Sequence, residues 1–239
     1  MATKKSNPQA AQHVLKRARQ WPAFDRAKAY PLAEAVKLLK DCANSKFDES
    51  VDVAINLGVD PKLADQQIRG TVPMPHGNGK KLRVVVFAKG DAAAAAEKAG
   101  ADTVGAEDLA DKIKKGWLAF DRVVATPDCM GIVGQLGQIL GPKGLMPNPK
   151  LGTVTPNAAK AVQDIKAGMT EYRVEKAGIV QAQVAKASFA PKQLEENIAA
   201  LVGAVKAAKP SSVKGIYMQK VTISTTMGPG IKVDFNAIA

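Results

Sequence analysis

The sequence predicts two structural styles in one chain: an α+β split domain, an antiparallel sheet with helices that contains both termini, and an α/β domain inserted into it. Three observations carry this. Residues 47–57 alternate with a period of two, and the same period returns at 172–174, 179–184 and 215–226. Residues 82–88, apolar but for Arg83, read as a strand followed by alternating helix and strand patterns, as in a small parallel sheet covered on both faces. The 239 residues leave room for two domains. The economical division is 1–72 with 165–239 as the outer, discontinuous domain and 73–164 as the insert, because a surface turn tolerates an insertion.

The elements follow in order. Residues 1–28 carry seven Lys/Arg against one acid, Asp25, and read as a basic lead segment with a helical pattern over 13–19. Pro31 takes the first position of a helix in which Leu32, Ala35, Val36, Leu38 and Leu39 recur at helical spacing. In the strand at 47–57, Val51, Val53, Ile55 and Leu57 share one face and Ser50, Asp52 and Asn56 the other. A second strand at 69–72 is closed by Pro73 and Pro75. The insert then reads as strand 82–88, helix 91–99 stopped by Gly100, and a short strand at Thr103 and Val104. A helix over 107–115, a strand at 123–125 and a helix after Pro127 complete its layers. Residues 141–150, rich in Gly and Pro, read as a linker-like stretch before a helix at 156–167 that ends at Gly168. Strands at 172–174 and 179–184, a long helix over 191–208 and a long strand over 215–226 return to the opening style.

Charge narrows the function classes. Lys plus Arg number 34 against 22 Asp plus Glu, a net charge of +12. Of this, +9 falls in the outer domain and +3 in the insert, so a polyanion is the expected partner and the outer domain its main contact. Six Phe, three Tyr and two Trp are too few for a protein that reads unpaired bases mainly by stacking. Cys42 and Cys129 lie far apart, as do His13 and His76, so no zinc site assembles from sequence neighbours and a reducing, cytoplasmic setting is expected. No apolar run approaches the ~20 residues of a membrane span, and none follows the basic start as a secretory signal requires.

The glycine motifs do not specify a nucleotide site. Gly131, Gly134 and Gly137 have Gly-x-x-Gly-x-x-Gly spacing rather than the dinucleotide fingerprint, and close helix packing is the better account. Gly79-Lys80 lacks a following Ser or Thr and precedes a strand, which suits a basic turn. Asp48 and Glu49, neighbours in a strand, point to opposite faces and make a poor carboxylate dyad. No constellation supports catalysis. On the last strand Lys220, Thr222, Ser224 and Thr226 share one face, which ends in Met227-Gly228-Pro229-Gly230. Such a row suits hydrogen bonds to phosphate and ribose 2′-OH groups, and equally suits a solvated sheet face.

Four blocks, read together, resemble a known family. They are residues 46–51, 69–77, 141–154 and 225–229, and the similarity runs in order from about residue 5 to 235 without a large gap. They are similar to the L-one family of large-subunit ribosomal proteins, in its bacterial or organellar form. The resemblance implies a split α+β domain with an inserted three-layer Rossmann-like domain, no enzymatic activity and no cofactor. It also implies a protein of the large ribosomal subunit that binds its rRNA, forms a mobile stalk near the exit site and assists release of deacylated tRNA. Bacterial members repress translation by binding their own operon's mRNA, and no membrane is involved. By matching position, the RNA-facing residues would be Lys46, Phe47, Ser50, Arg69, Glu171, Arg173, Thr226, Met227 and Gly228. Ser50 stands where threonine is expected and keeps the hydroxyl.

Overall fold

The structure, a computed structural model, describes residues 21–235; the helical pattern over 13–19 lies outside the described residues. In chain order these form α1 (Leu32–Asp41), β1 (Ser50–Leu57), β2 (Arg69–Pro73), β3 (Val84–Phe87), α2 (Asp91–Lys98), β4 (Thr103–Gly105) and α3 (Glu107–Lys114). There follow β5 (Arg122–Ala125), α4 (Met130–Gln135), α5 (Gly137–Leu140), α6 (Ala158–Lys166), β6 (Met169–Arg173) and β7 (Ile179–Lys186). The chain ends with α7 (Pro191–Ala207), β8 (Met218–Thr225) and β9 (Ile231–Val233).

Alternation in β1 fixes the largest sheet. Val51, Val53, Ile55 and Leu57 are buried while Ser50, Asp52, Ala54 and Asn56 are half-exposed, so one face needs a cover. Strand β1 pairs antiparallel with β7 on one side and β8 on the other, giving the order β7-β1-β8-β9. Helices α1 and α7 supply the cover: Ala35, Val36 and Leu39 of α1 meet Leu194, Ile198, Leu201 and Val205 of α7 in one core with the strand residues. That core draws on residues 35–74 and 172–233.

Strands β4-β3-β5 form a separate parallel sheet. All of Val84–Phe87 is buried because both faces are covered. Val85 and Phe87 pack with Leu109, Ile113, Leu136 and Leu140, whereas Val84 and Val86 pack with Ala96, Val162 and Ile165 on the other side.

Several sequence expectations change. Strands β2 and β6 leave the large sheet and pair only with each other, as a two-stranded ribbon from Arg69↔Arg173 to Pro73↔Met169. Residues 141–150 are no linker: Leu145 and Met146 pack on the core, Asn148 caps a short turn through the Lys150 N–H, and Val154 bridges to Ala125. The helix after Pro127 is broken into α4 and α5 at Leu136–Gly137. A Cβ added at Gly131, Gly134 or Gly137 would meet nothing within 4 Å, so close helix packing does not account for those glycines. Pro31 caps α1 from outside rather than opening it, and β9 carries no period long enough to be read.

The two chain crossings between the sheets touch at glycines. Gly168 has φ +106, and a Cβ there would lie 2.5 Å from Gly77 Cα and 2.7 Å from Asn78 N, both backbone atoms. Gly168→Ala therefore combines left-handed backbone strain with overpacking, together about 3 kcal/mol. The melting temperature followed by circular dichroism is expected to fall by about 10 °C.

Candidate nucleic-acid interface

Six of the sequence-predicted site residues gather where β1 begins and β8 ends. The ladder itself brings them together: the Ser50 N–H donates to Thr226 Oγ1 at 2.9 Å and the Thr226 N–H to the Ser50 carbonyl at 3.0 Å. Phe47 is 54% exposed and Met227 42% exposed, two large apolar side chains held in water at one end of the sheet. Lys46 and Thr226 are exposed beside them, Ser50 is half-buried, and Gly228 packs against the Thr225 side chain, where no Cβ fits.

One residue that sequence reasoning dismissed ties this end together. Glu49 is only 2% exposed. Its Oε2 accepts the Met227 N–H at 3.0 Å and its Oε1 the Ser45 N–H at 3.2 Å, so a single carboxylate fixes the backbone on both sides of the exposed pair. Burial alone would raise its pKa, but the Met227 N–H, the neighbouring Thr225 hydroxyl and the Ser45 N–H outweigh it and hold the group below the ordinary carboxylate range. That hydroxyl is buried and meets full hydrogen-bonding geometry with no described residue. The signal was present in the sequence: carried back two residues, the alternation of Val51, Val53 and Ile55 places position 49 on the buried face.

The remaining three lie on the β2–β6 ribbon. Arg69 and Arg173 are exposed and directly opposite each other in register. Like charges so placed repel, and an anion between them removes the cost. Glu171, half-buried and opposite Thr71, forms an ion pair with Arg122 of β5. A cleft of about 530 Å³ separates this ribbon from the 141–151 turn, lined by Arg69, Arg173, Tyr172, Gly144, Pro147 and Asn148 among others. Between the two groups, the Lys186 ammonium donates to Ser50 Oγ at 3.1 Å. Nothing in the sequence marked Lys186 or Arg122.

The chemistry on offer is binding. Cys42 and Cys129 are buried thiols without disulfides, and His76 pairs with Glu196 at 2.5 Å near the surface. Among the described residues no group of three or more His, Cys, Asp or Glu side chains is placed to hold a metal ion. Among them, too, no helix is long and apolar enough to cross a membrane.

The chain is a basic α/β protein with cations, hydroxyls and exposed apolar side chains gathered at one sheet end, a surface suited to holding a partner. Comparison narrows the class. The sequence model of the ribosomal protein L1p/L10e family matches residues 38–229. The large ribosomal subunit protein uL1 of Laribacter hongkongensis (strain HLHK9) is 59% identical over 210 residues, covering 88% of this chain and 90% of that protein. The chain belongs to the ribosomal protein L1p/L10e family, as a structural protein of the large ribosomal subunit.

Proposed function

We propose that this protein binds large-subunit rRNA directly through a discontinuous domain of residues 1–72 and 165–239, with 73–164 as an inserted Rossmann-like domain. The observation that carries the reading is the exposed Phe47 and Met227 pair set among Lys46, Ser50 and Thr226 at one end of β1 and β8. Apolar side chains there exclude water from neighbouring hydrogen bonds and pack on sugar or base surfaces. Hydroxyls reach ribose 2′-OH groups, which separates RNA from DNA. Arg69 and Arg173 supply forked donors to phosphate. Lys220, Thr222 and Ser224 extend the polar face along β8. Two further roles belong to this reading: the protein forms a mobile stalk beside the exit site that assists release of deacylated tRNA, and it represses translation by binding a similar fold in its own operon's mRNA. The protein acts bound to ribosomes in the cytoplasm, as a non-enzymatic component without a cofactor.

Filter binding to purified large-subunit rRNA tests this. The full chain and a chain with 73–164 replaced by a short linker are both expected to bind. Affinity should fall with salt by roughly 0.7–0.9 log units, per log unit of salt, for each phosphate neutralised. A flat salt curve, or a folded outer domain that does not bind, removes the proposal.

A further inference from the structure

An open cavity of about 710 Å³ lies between β7 and the segment entering β3. Its charged and amide-bearing wall includes Lys80, Lys81, Lys186, Arg122, Gln181 and Gln183. Two acids also line it, and both have partners other than the lysines. The Asp121 carboxylate accepts the Arg83 N–H at 3.0 Å and Arg83 Nε–H at 3.3 Å, while Glu171 pairs with the cavity's own Arg122. The lysines are therefore not answered by these two acids. Among the described residues Lys186 donates its hydrogen bonds to neutral groups, Ser50 Oγ at 3.1 Å and the Asp48 carbonyl at 3.4 Å, and forms no ion pair. Asp52, opposite Gln183 on β1, feels both Lys80 and Lys186, yet burial outweighs them and holds its carboxyl above the ordinary range. It faces two of the three ammonium groups, so a positive excess remains on this wall.

We infer that this cavity is a second phosphate-binding site, which takes the ribose-phosphate backbone of the same RNA where it leaves the Ser50–Thr226 end. The inference rests on the rRNA reading above. Lys186 is the physical link, since its ammonium touches Ser50 on one side and lines the cavity on the other. Three ammonium groups, with Asp52 the carboxylate acting on two of them, converge on a concave wall and leave it a positive excess, the arrangement that recruits phosphodiesters by counterion release. The two glutamine amides add neutral donors and acceptors for phosphate and 2′-OH oxygens. Lys80 and Lys81 precede β3, Arg122 belongs to β5 and Lys186 to β7, so one bound backbone joins the parallel sheet to the antiparallel one.

The test is a salt titration of rRNA binding with the full-length protein and its Lys80→Gln/Lys81→Gln variant. Both lysines are exposed and precede the strand, so the fold should survive, which a thermal melt checks. The expected result is a salt slope reduced by about one to two units and an affinity reduced roughly 10-fold near physiological salt. Hydroxyl-radical footprinting should lose protection over one short RNA stretch while the stretch lost in a Met227 variant stays protected. Lys112→Gln/Lys114→Gln, on α3, removes the same charge outside the cavity and serves as the control. An unchanged slope and footprint, or the same loss from the α3 control, overturns the cavity site. If the unaltered protein fails to bind rRNA at all, the earlier reading falls instead. Inorganic phosphate at 10 mM, followed by ³¹P line broadening, is expected to bind only weakly. Tight, saturable binding of the free ion that RNA does not displace also counts against the inference.

Discussion

Met227→Asp is expected to weaken binding to large-subunit rRNA by about 100-fold or more. Two losses combine. The exposed methionine forfeits the proposed contact with the RNA surface, about 1–2 kcal/mol for a half-buried side chain of this size. A carboxylate some 6 Å from a phosphate adds repulsion of about 2–3 kcal/mol at an effective dielectric near 20. Stability should change little, because Met227 is 42% exposed and its backbone N–H bond to Glu49 remains. Filter binding and a thermal melt on the same preparation read both quantities. Affinity unchanged within twofold would remove this end of the sheet from the RNA face. Thr226→Val is a less clean probe, since the Thr226 hydroxyl already accepts the Ser50 N–H and its loss disturbs the ladder.

What the sequence revealed depended on how local the determining physics was. Alternation in Val51–Leu57 and the unbroken Val84–Phe87 run are set by which faces are covered, and both read directly into sheets of the observed kind. Pairing partners are another matter. Arg69–Pro73 carries the pattern of a strand, but its confinement to a ribbon with β6 depends on a partner some hundred residues away. Residues 141–150 show the same limit: Gly and Pro suggest a linker, while Leu145, Met146 and Asn148 anchor the stretch through contacts that no short window contains. At the candidate site, Phe47 and Met227 came from family resemblance. Their exposure, which makes them informative, appears only once Glu49 is seen beneath them. Glu49 is legible from parity alone: it falls on the face of Val51, Val53 and Ile55, and the structure makes it an anchor rather than half of a carboxylate pair.

That anchor supports the second large effect. Glu49→Gln keeps the size of the side chain but leaves one acceptor oxygen where two are used, by Met227 and Ser45. Whichever way the amide turns, an NH₂ group faces a backbone N–H, and a charge-assisted bond worth about 1.5–3 kcal/mol is lost with a buried donor left unpaired. Because the two tethered segments carry Met227 and Phe47, the RNA face should loosen, and rRNA affinity is expected to fall about 10-fold. The pH dependence follows from the depressed carboxyl. Its folded-state pKa lies below the unfolded value near 4.5, so its stabilisation is complete above that value and disappears as pH falls through the folded one. Urea melts should therefore separate the wild-type and Gln proteins above about pH 5 and bring them together in acid. A double-mutant cycle with Met227→Ala decides whether the anchor acts on the RNA face or on stability alone. If Glu49 works by placing Met227, removing the methionine side chain should shrink the effect of Glu49→Gln on affinity by at least fivefold. Strictly additive losses would show that Glu49 has no part in positioning Met227.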